Sequence, residues 1–347
     1  MERFNAACDF IAGIAFEQRS ANKIKIQQIC YAEVRQRFDL SAQMAIRAIA
    51  KVCEAYKRDR RIKPTFHRHG AVVYDQRILT WKALDRVSIL TVTGGRQTMA
   101  CVTGGHQAGR LAGQESKVRG QADLVYRDGR FYLLVVVDVG LPDEDEVESF
   151  LGIDLGIKNI AADNDGDTFA GDAVNGLRRR HAALRARLQS KGTKSAKRLL
   201  RKRKRKERRF ATDLNHIIAK RIVNKAKDTG RGIALEDLQG IRERITVRKA
   251  QRRVQHSWSF NQLRLFVTYK AALAGIPVVM IDPRNTSRTC PCCGHVAKEN
   301  RPDRDHFRCV SCGMAGPADT IAAVNISAKG LDAYRRARVN EPNAEAA

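Results

Sequence analysis

Apolar positions along the first sixty residues recur at helical spacing. Phe4, Ala7, Cys8, Ile11 and Ile14 or Ala15 trace one face and predict a helix that opens near residue 2. A second helix is predicted from about Ile24 to Arg37 and a third from Ser41 to Arg60, with Ser41 as its N-cap. Pro64 closes this region. Between residues 66 and 139 the pattern shortens. Val72-Val73-Tyr74, Val87 to Leu90, Met99 to Val102 and Phe131 to Val139 read as strands, and Gly94-Gly95, Gly104-Gly105 and Asp128-Gly129 read as the turns between them. A small antiparallel barrel or sheet is expected here. The acidic run from Leu141 to Glu148 then marks a domain boundary.

From Phe150 onward the pattern is mixed. Strands are expected at 150–155, 158–163 and 167–170, with Asn164-Asp165-Gly166 turning the last hairpin. A helix around 212–228, a strand at 232–236, a helix near 257–274, a strand at 276–282 and a final helix from Asp319 follow. Hairpin-connected strands followed by alternating strands and helices are the order of an RNase H-like core. The fold class is therefore α+β and multidomain. The expected division is a helical region at 1–63, an antiparallel β region at 64–140, an α/β core at 150–285 and 314–331, a cysteine-rich insert at 286–313, and a C-terminal tail at 332–347.

Composition adds a partner. Lys plus Arg number 64 against 37 acidic residues, a formal charge of +27 with a sequence pI near 10.2. A clustered excess of this size is most simply neutralised by a polyphosphate backbone. No apolar run approaches the roughly 20 residues of a membrane helix. The opening Met1-Glu-Arg-Phe-Asn5 lacks a basic-then-apolar leader pattern, so a cytoplasmic protein without a membrane partner is expected.

Three carboxylates stand in unusual settings. In Gly152-Ile153-Asp154-Leu155-Gly156, a strand would put Leu151, Ile153 and Leu155 on one face and Asp154 between glycines on the other. Ile233-Ala234-Leu235-Glu236 repeats the arrangement, with Glu236 beside a small residue. On the final helix Asp319, Ala322, Ala323 and Ile326 share a stripe that can pack closely on a sheet. Each acid alone has an ordinary explanation: a turn cap, an edge-strand Glu, a helix N-cap. Together, two Asp and one Glu supply the hard oxygen ligands of a Mg²⁺ pair, with positions left for phosphate and water.

Of nine cysteines, five fall between Cys290 and Cys312, while Cys8, Cys30, Cys53 and Cys101 are scattered among apolar neighbours. That is the usage of a reducing compartment. Two C-x-x-C knuckles about 15 residues apart match a zinc ribbon with four cysteine ligands. The expected zinc ligands are Cys290, Cys293, Cys309 and Cys312, with Cys292 spare and the complete ligand set marking a structural ion. Between Arg178 and Arg209 lie 17 Lys or Arg residues and one acid, Glu207, with Gly192 breaking the run. Arg178, Arg179, Arg180, Lys194, Lys197, Arg198, Arg201, Lys202, Arg203, Lys204 and Arg205 are the expected nucleic-acid contacts. Arg242, Arg244, Arg248, Lys249, Arg252 and Arg253 form a smaller basic set after Glu236. Aromatic residues make up 6% of the chain, so contact to the backbone of a duplex or heteroduplex is favoured over base stacking.

The segments GIDLGIKNIAADNDGD, IALEDLQGIRER, DPRNTSRTCPCCG with FRCVSCG, and ADTIAAVNI occur here in the order in which similar segments occur in the OrfB/TnpB proteins of bacterial insertion sequences. The chain resembles that family over about 150–330, and more weakly along the helix beginning ERFNAAC. These proteins are similar in turn to the nuclease half of type V CRISPR effectors. The resemblance implies a RuvC-like nuclease whose catalytic acids match Asp154, Glu236 and Asp319, using Mg²⁺. It also implies a guide RNA on the basic surfaces, a DNA target, and recognition of a short target-adjacent motif by the helical region and a wedge-like barrel. A nucleoid-associated location in the bacterial cytoplasm goes with this. Family members begin with a further basic strand before the ERFNAAC helix. Its absence here points either to a different start codon or to a trimmed barrel.

The leading expectation is an RNA-guided, Mg²⁺-dependent DNA endonuclease that leaves 5′-phosphate and 3′-hydroxyl ends. The alternatives are a guided binder or regulator without cleavage, a transposase that joins strands itself, and an RNA-free junction-resolving nuclease. Oligomeric state is left open.

Overall fold

The helical stripes of the opening residues close on one another as α1 (Glu2–Glu17), α2 (Lys23–Phe38) and α3 (Ala42–Arg58). The structure, a computed structural model, describes residues 1–112, 118–238 and 260–339. It separates into two units, Met1–Gly140 and Leu141–Ala347.

In the first unit Phe4, Ala7, Cys8, Ile11 and Ala15 of α1 are buried against Ile26, Cys30 and Val34 of α2 and against the apolar face of α3. Ser41 caps α3 by accepting the Met44 N–H, as its position predicts. The strand-like runs become β1 (Val72–Asp75), β2 (Leu79–Ala83), β3 (Arg86–Thr91) and β4 (Gly95–Ala100), then a short helix α4 (Gly105–Ala112), then β5 (Val118–Arg127) and β6 (Arg130–Val137). They pair antiparallel as two three-stranded sheets, β1-β5-β6 and β2-β3-β4. The Asp128-Gly129 turn between β5 and β6 has both residues at positive φ, 50° and 82°, as a tight hairpin demands. Val72, Tyr74, Leu79, Val87 and Ile89 join the same buried cluster as the three helices.

The second unit is built on a five-stranded sheet in the order β11-β10-β7-β8-β9. Strands β7 (Phe150–Asp154), β8 (Asn159–Asp163) and β9 (Thr168–Ala170) are joined antiparallel. Strands β10 (Gly232–Glu236) and β11 (Val278–Ile281) run parallel to β7. Between β9 and β10 lie two helices, α5 (Asp172–Lys191) and α6 (Lys194–Asp228). Gly192, in the left-handed region at φ 62°, ends α5, and Thr193 caps α6 by accepting the Ala196 N–H. The separate helix expected at 212–228 is the second half of this 35-residue α6.

Two opposite faces of the sheet are covered by different helices. Leu151, Ile153, Leu155, Ile233 and Leu235 pack against Ile218, Ala219, Ile222 and Val223 of α6 and against Leu263, Val267 and Ala271 of α7 (Phe260–Ala272). On the other face α8 (Ala318–Val339) crosses β7 and β10. Its backbone lies so close that a Cβ on Gly152 would stand 2.1 Å from the Ala323 carbonyl oxygen, and one on Gly330 would stand 2.4 Å from the Ala234 Cβ. Between β11 and α8 sits the cysteine-rich segment with its hairpin β12 (His306–Arg308) and β13 (Ala315–Pro317).

Candidate active site

The alternation read from the sequence puts the first two acids on the α8 face. The parallel register pairs Ile153 with Leu235, so Asp154 and Glu236 leave neighbouring strands at the same level, one residue on. Asp319 sits in the first turn of α8, which packs on that face. The glycine and alanine positions beside the acids are what allow this approach, because Gly152 meets helix backbone directly.

The electrostatics report the convergence. Asp154 is pushed up to about 7, first by burial and then by the nearby charges of Glu236 and Asp319, against the opposing pull of Arg301 and Arg304. Burial also raises Glu236, while the Thr286 hydroxyl, which donates to its Oε1 at 2.6 Å, and the Lys329 ammonium oppose that rise. Asp319 accepts from Asn159 Nδ2 at 2.9 Å and faces Arg301 at 3.6 Å. Three carboxylates thus lie near enough for Asp154 to feel the charge of the other two, with Arg301, Arg304 and Lys329 as the cations around them. Such an arrangement is what a divalent cation stabilises.

The four-cysteine centre is formed by the residues expected. The Sγ atoms of Cys290, Cys293, Cys309 and Cys312 all lie within 4.8 Å of one another. Cys290 and Cys312 are 3.6 Å apart, as are Cys293 and Cys309. A tetrahedron with metal–sulfur bonds of ~2.3 Å has edges of ~3.8 Å, so the thiols fit one metal ion. Cys292 is exposed and outside the cluster. The Cys312 N–H points at Cys309 Sγ at 3.5 Å and favours its thiolate, the form that binds metal. The glycines after each knuckle, Gly294 and Gly313, are at φ 72° and 77°. The buried amide of Asn300 ties the two knuckles, donating to the Arg288 and His295 carbonyls and accepting the Val310 N–H.

Of the expected nucleic-acid contacts, Arg179 and Arg180 are exposed on α5, and Lys194, Lys197, Arg198, Arg201 and Lys202 are exposed on α6, with Arg203 half-buried. The side chains of Arg178, Lys204 and Arg205, and the whole of the set from Arg242 to Arg253, lie outside the described residues. Sequence reasoning did not find Asn159, Thr286, Arg301 or Lys329. Asn159, Thr286 and Arg301 sit in irregular segments or at element ends, and Lys329 lies within α8 with its ammonium on the Asp282 and Arg284 carbonyls, partners that no local spacing announces.

A family model described as "Probable transposase" (OrfB_IS605) matches residues 133–239, and one described as "Cas12f1-like, TNB domain" matches residues 260–326. A TnpB-like protein of Methanocaldococcus jannaschii is 30% identical over 197 residues, covering 53% of this chain and 70% of that protein. The chain belongs to the TnpB family. Two further members of the wider group align over less of their own length. The "Putative RNA-guided DNA endonuclease InsQ" of Escherichia coli K12 is 30% identical over 200 residues, covering 52% of this chain and 49% of that protein. The "CRISPR-associated endodeoxyribonuclease Cas12f1" of Sulfoacidibacillus thermotolerans is 36% identical over 124 residues, covering 35% of this chain and 28% of that protein. The first family match takes in Asp154 and Glu236, and the second takes in the four cysteines and Asp319.

Proposed function

We propose that this TnpB-family chain is an RNA-guided DNA endonuclease whose second unit is a RuvC-like, RNase H-type nuclease domain with an inserted zinc ribbon. The observation that carries the reading is the meeting of Asp154, Glu236 and Asp319 on one face of the sheet, where the acids raise Asp154 by their charge. The 3-2-1-4-5 type of strand order, with the acids on the two central parallel strands and the crossing helix, supports the RNase H assignment. The names of its relatives supply the guide RNA and the DNA target. The antiparallel sheets of the first unit suit a wedge-like role in reading a target-adjacent motif.

The donor set fits Mg²⁺: three carboxylates, all hard oxygen, with Asp154 near enough to feel the charge of the other two. Asp154, Glu236 and Asp319 would hold the ions. Ions bound there would activate the attacking water and stabilise the leaving oxygen in an in-line displacement. The chain's own residues do the rest. Asn159 orients Asp319, and the arginines Arg301 and Arg304 supply positive charge beside the acids, where it would attract a scissile phosphate. The four cysteines hold a structural zinc ion. The exposed lysines and arginines of α5 and α6 bind phosphate backbone.

The test is cleavage of plasmid DNA by the protein loaded with the RNA that co-purifies with it, in Mg²⁺. Asp154→Ala should abolish cutting while RNA binding remains. Undiminished cutting by that variant would remove the nuclease assignment, and joined products made with element ends would favour a transposase instead.

A further inference from the structure

Glu236 is held by something no pattern in the sequence announces. Thr286 leaves β11 in the loop that leads to the first cysteine knuckle, four residues before Cys290, and it is buried. Its hydroxyl lies 2.6 Å from Glu236 Oε1 and 3.1 Å from the Pro283 carbonyl oxygen. The loop carrying Thr286 is fixed from α8. The buried Asn325 amide donates to the carbonyls of both Thr286 and Thr289, each at 2.8 Å. Thr289 in turn bridges to Val296 across the first knuckle, and Cys290 N–H donates to the His295 carbonyl. The second acid, the knuckle and α8 are therefore joined by short hydrogen bonds between buried groups.

We propose that Thr286, held in place by Asn325, is a positioning residue for Glu236, fixing which carboxylate oxygen faces the divalent cation. The proposal rests on the three-acid site described above. A carboxylate on a strand end has a free rotation about its last bond and two equivalent oxygens. The Thr286 hydroxyl removes that freedom by taking Oε1, which leaves Oε2 as the oxygen available to a cation. Partners of this kind around a metal ligand are typically worth 10–100-fold in affinity or activity.

The experiment measures Mn²⁺ binding to the RNA-free, zinc-loaded full chain by electron paramagnetic resonance, for wild type, Thr286→Val, Thr286→Ser and Asp154→Ala. Val keeps the volume and removes the hydroxyl; Ser keeps the hydroxyl. The expected result is a fall of about tenfold or more in affinity for Thr286→Val, against about twofold or less for Thr286→Ser. The zinc content and thermal midpoint of both variants should stay near wild type. In cleavage, Thr286→Val should need a correspondingly higher Mg²⁺ concentration for half-maximal rate and approach the wild-type rate at saturation. Wild-type Mn²⁺ affinity in Thr286→Val would overturn the proposal, as would an equal loss in both variants, since that would assign the effect to packing. Binding that survives Asp154→Ala would overturn the acid site itself. Asp154-dependent binding without guided cleavage would instead sink only the nuclease reading and leave Thr286's role standing.

Discussion

At Asp154 burial and two neighbouring carboxylates act in the same direction, and the consequence is measurable without any substrate. Its folded value of about 7 stands above the ordinary 3.8 of an aspartate, so the native state prefers the protonated acid. The stability this contributes is complete below about pH 4 and is lost as pH rises to about 7. In Mg²⁺-free buffer, Asp154→Asn should therefore melt higher than wild type at pH 8, with the gap closing by pH 4. The same proton must leave before a cation binds, so divalent-ion affinity should climb with pH and level off above about 7. A pH-independent gap between the two melting temperatures would remove the burial argument. A second residue-scale consequence concerns Arg301, 3.6 Å from Asp319. Arg301→Ala should slow cleavage by at least tenfold while cation affinity holds or rises, because a competing charge has gone. The placement of Asp154 and Glu236 on the same sheet face and the grouping of the four cysteines were legible in the sequence, because each combines a chemical type with a local spacing. Arg301 and Thr286 were not, since a loop residue's direction depends on tertiary contacts that no short-range pattern encodes.

Whole elements tell a similar story about what spacing can reveal. The alternation of Gly152 with Ile153 and of Ala234 with Leu235 correctly separates a face for α6 and α7 from a face for α8. Gly152→Ala tests the closeness of that second face. In most strands this change is favourable by roughly 0.5–1 kcal/mol. Here the added carbon would stand 2.1 Å from the Ala323 oxygen and 2.5 Å from the Ser327 nitrogen, both backbone atoms that cannot swing aside. The variant should lose stability by roughly 1–3 kcal/mol or more and weaken Mn²⁺ binding, since displacing α8 displaces Asp319. A second joint holds the end of α6. Lys225 Nζ lies within 2.9 Å of Asp163, Asp165 and Asp167 in the β8–β9 turn, and Arg231 grips Asp165 with both nitrogens. Burial pulls the Lys225 ammonium down, yet the three carboxylates hold it above the ordinary lysine range. Lys225→Met should cost several kcal/mol in a denaturant titration, because the buried Asp163 loses its counter-charge. The turn at Asn164-Asp165-Gly166 was legible; its cation, about sixty residues away, was not. The strands β2 and β5 and the helix α4 also escaped the pattern. In β5 a register shift between Arg119 and Ala122 breaks the two-residue alternation on which strand reading depends.

For the molecule as a whole, the charge of +27 is divided by the fold into surfaces with different tasks. The basic run was legible as charge, but its shape was not: it becomes two helices joined at Gly192, and the second continues for 35 residues onto the sheet of the second unit. That continuity matters, because any phosphate bound on α6 would be held by a helix that continues onto the sheet carrying the acids. Lys197, Arg198, Arg201 and Lys202 are exposed and, at spacings of three and four, line one side of α6. If these four contact phosphates of the guide, replacing all of them with Ala should lower RNA affinity at every sequence alike and flatten its salt dependence. At ~0.7 per contact on single-stranded RNA, the slope of log affinity against log salt should fall by about three. The folded sheet and the acid pocket lie elsewhere on the unit, so the variant's Mn²⁺ affinity and melting temperature should match wild type. An unchanged slope would move the guide off α6, leaving the exposed arginines of α5 and the basic residues that follow Glu236 in the sequence to test next. Loss of Mn²⁺ binding together with RNA binding would show instead that α6 is needed to hold the sheet in shape, and that its charges and its packing cannot be separated.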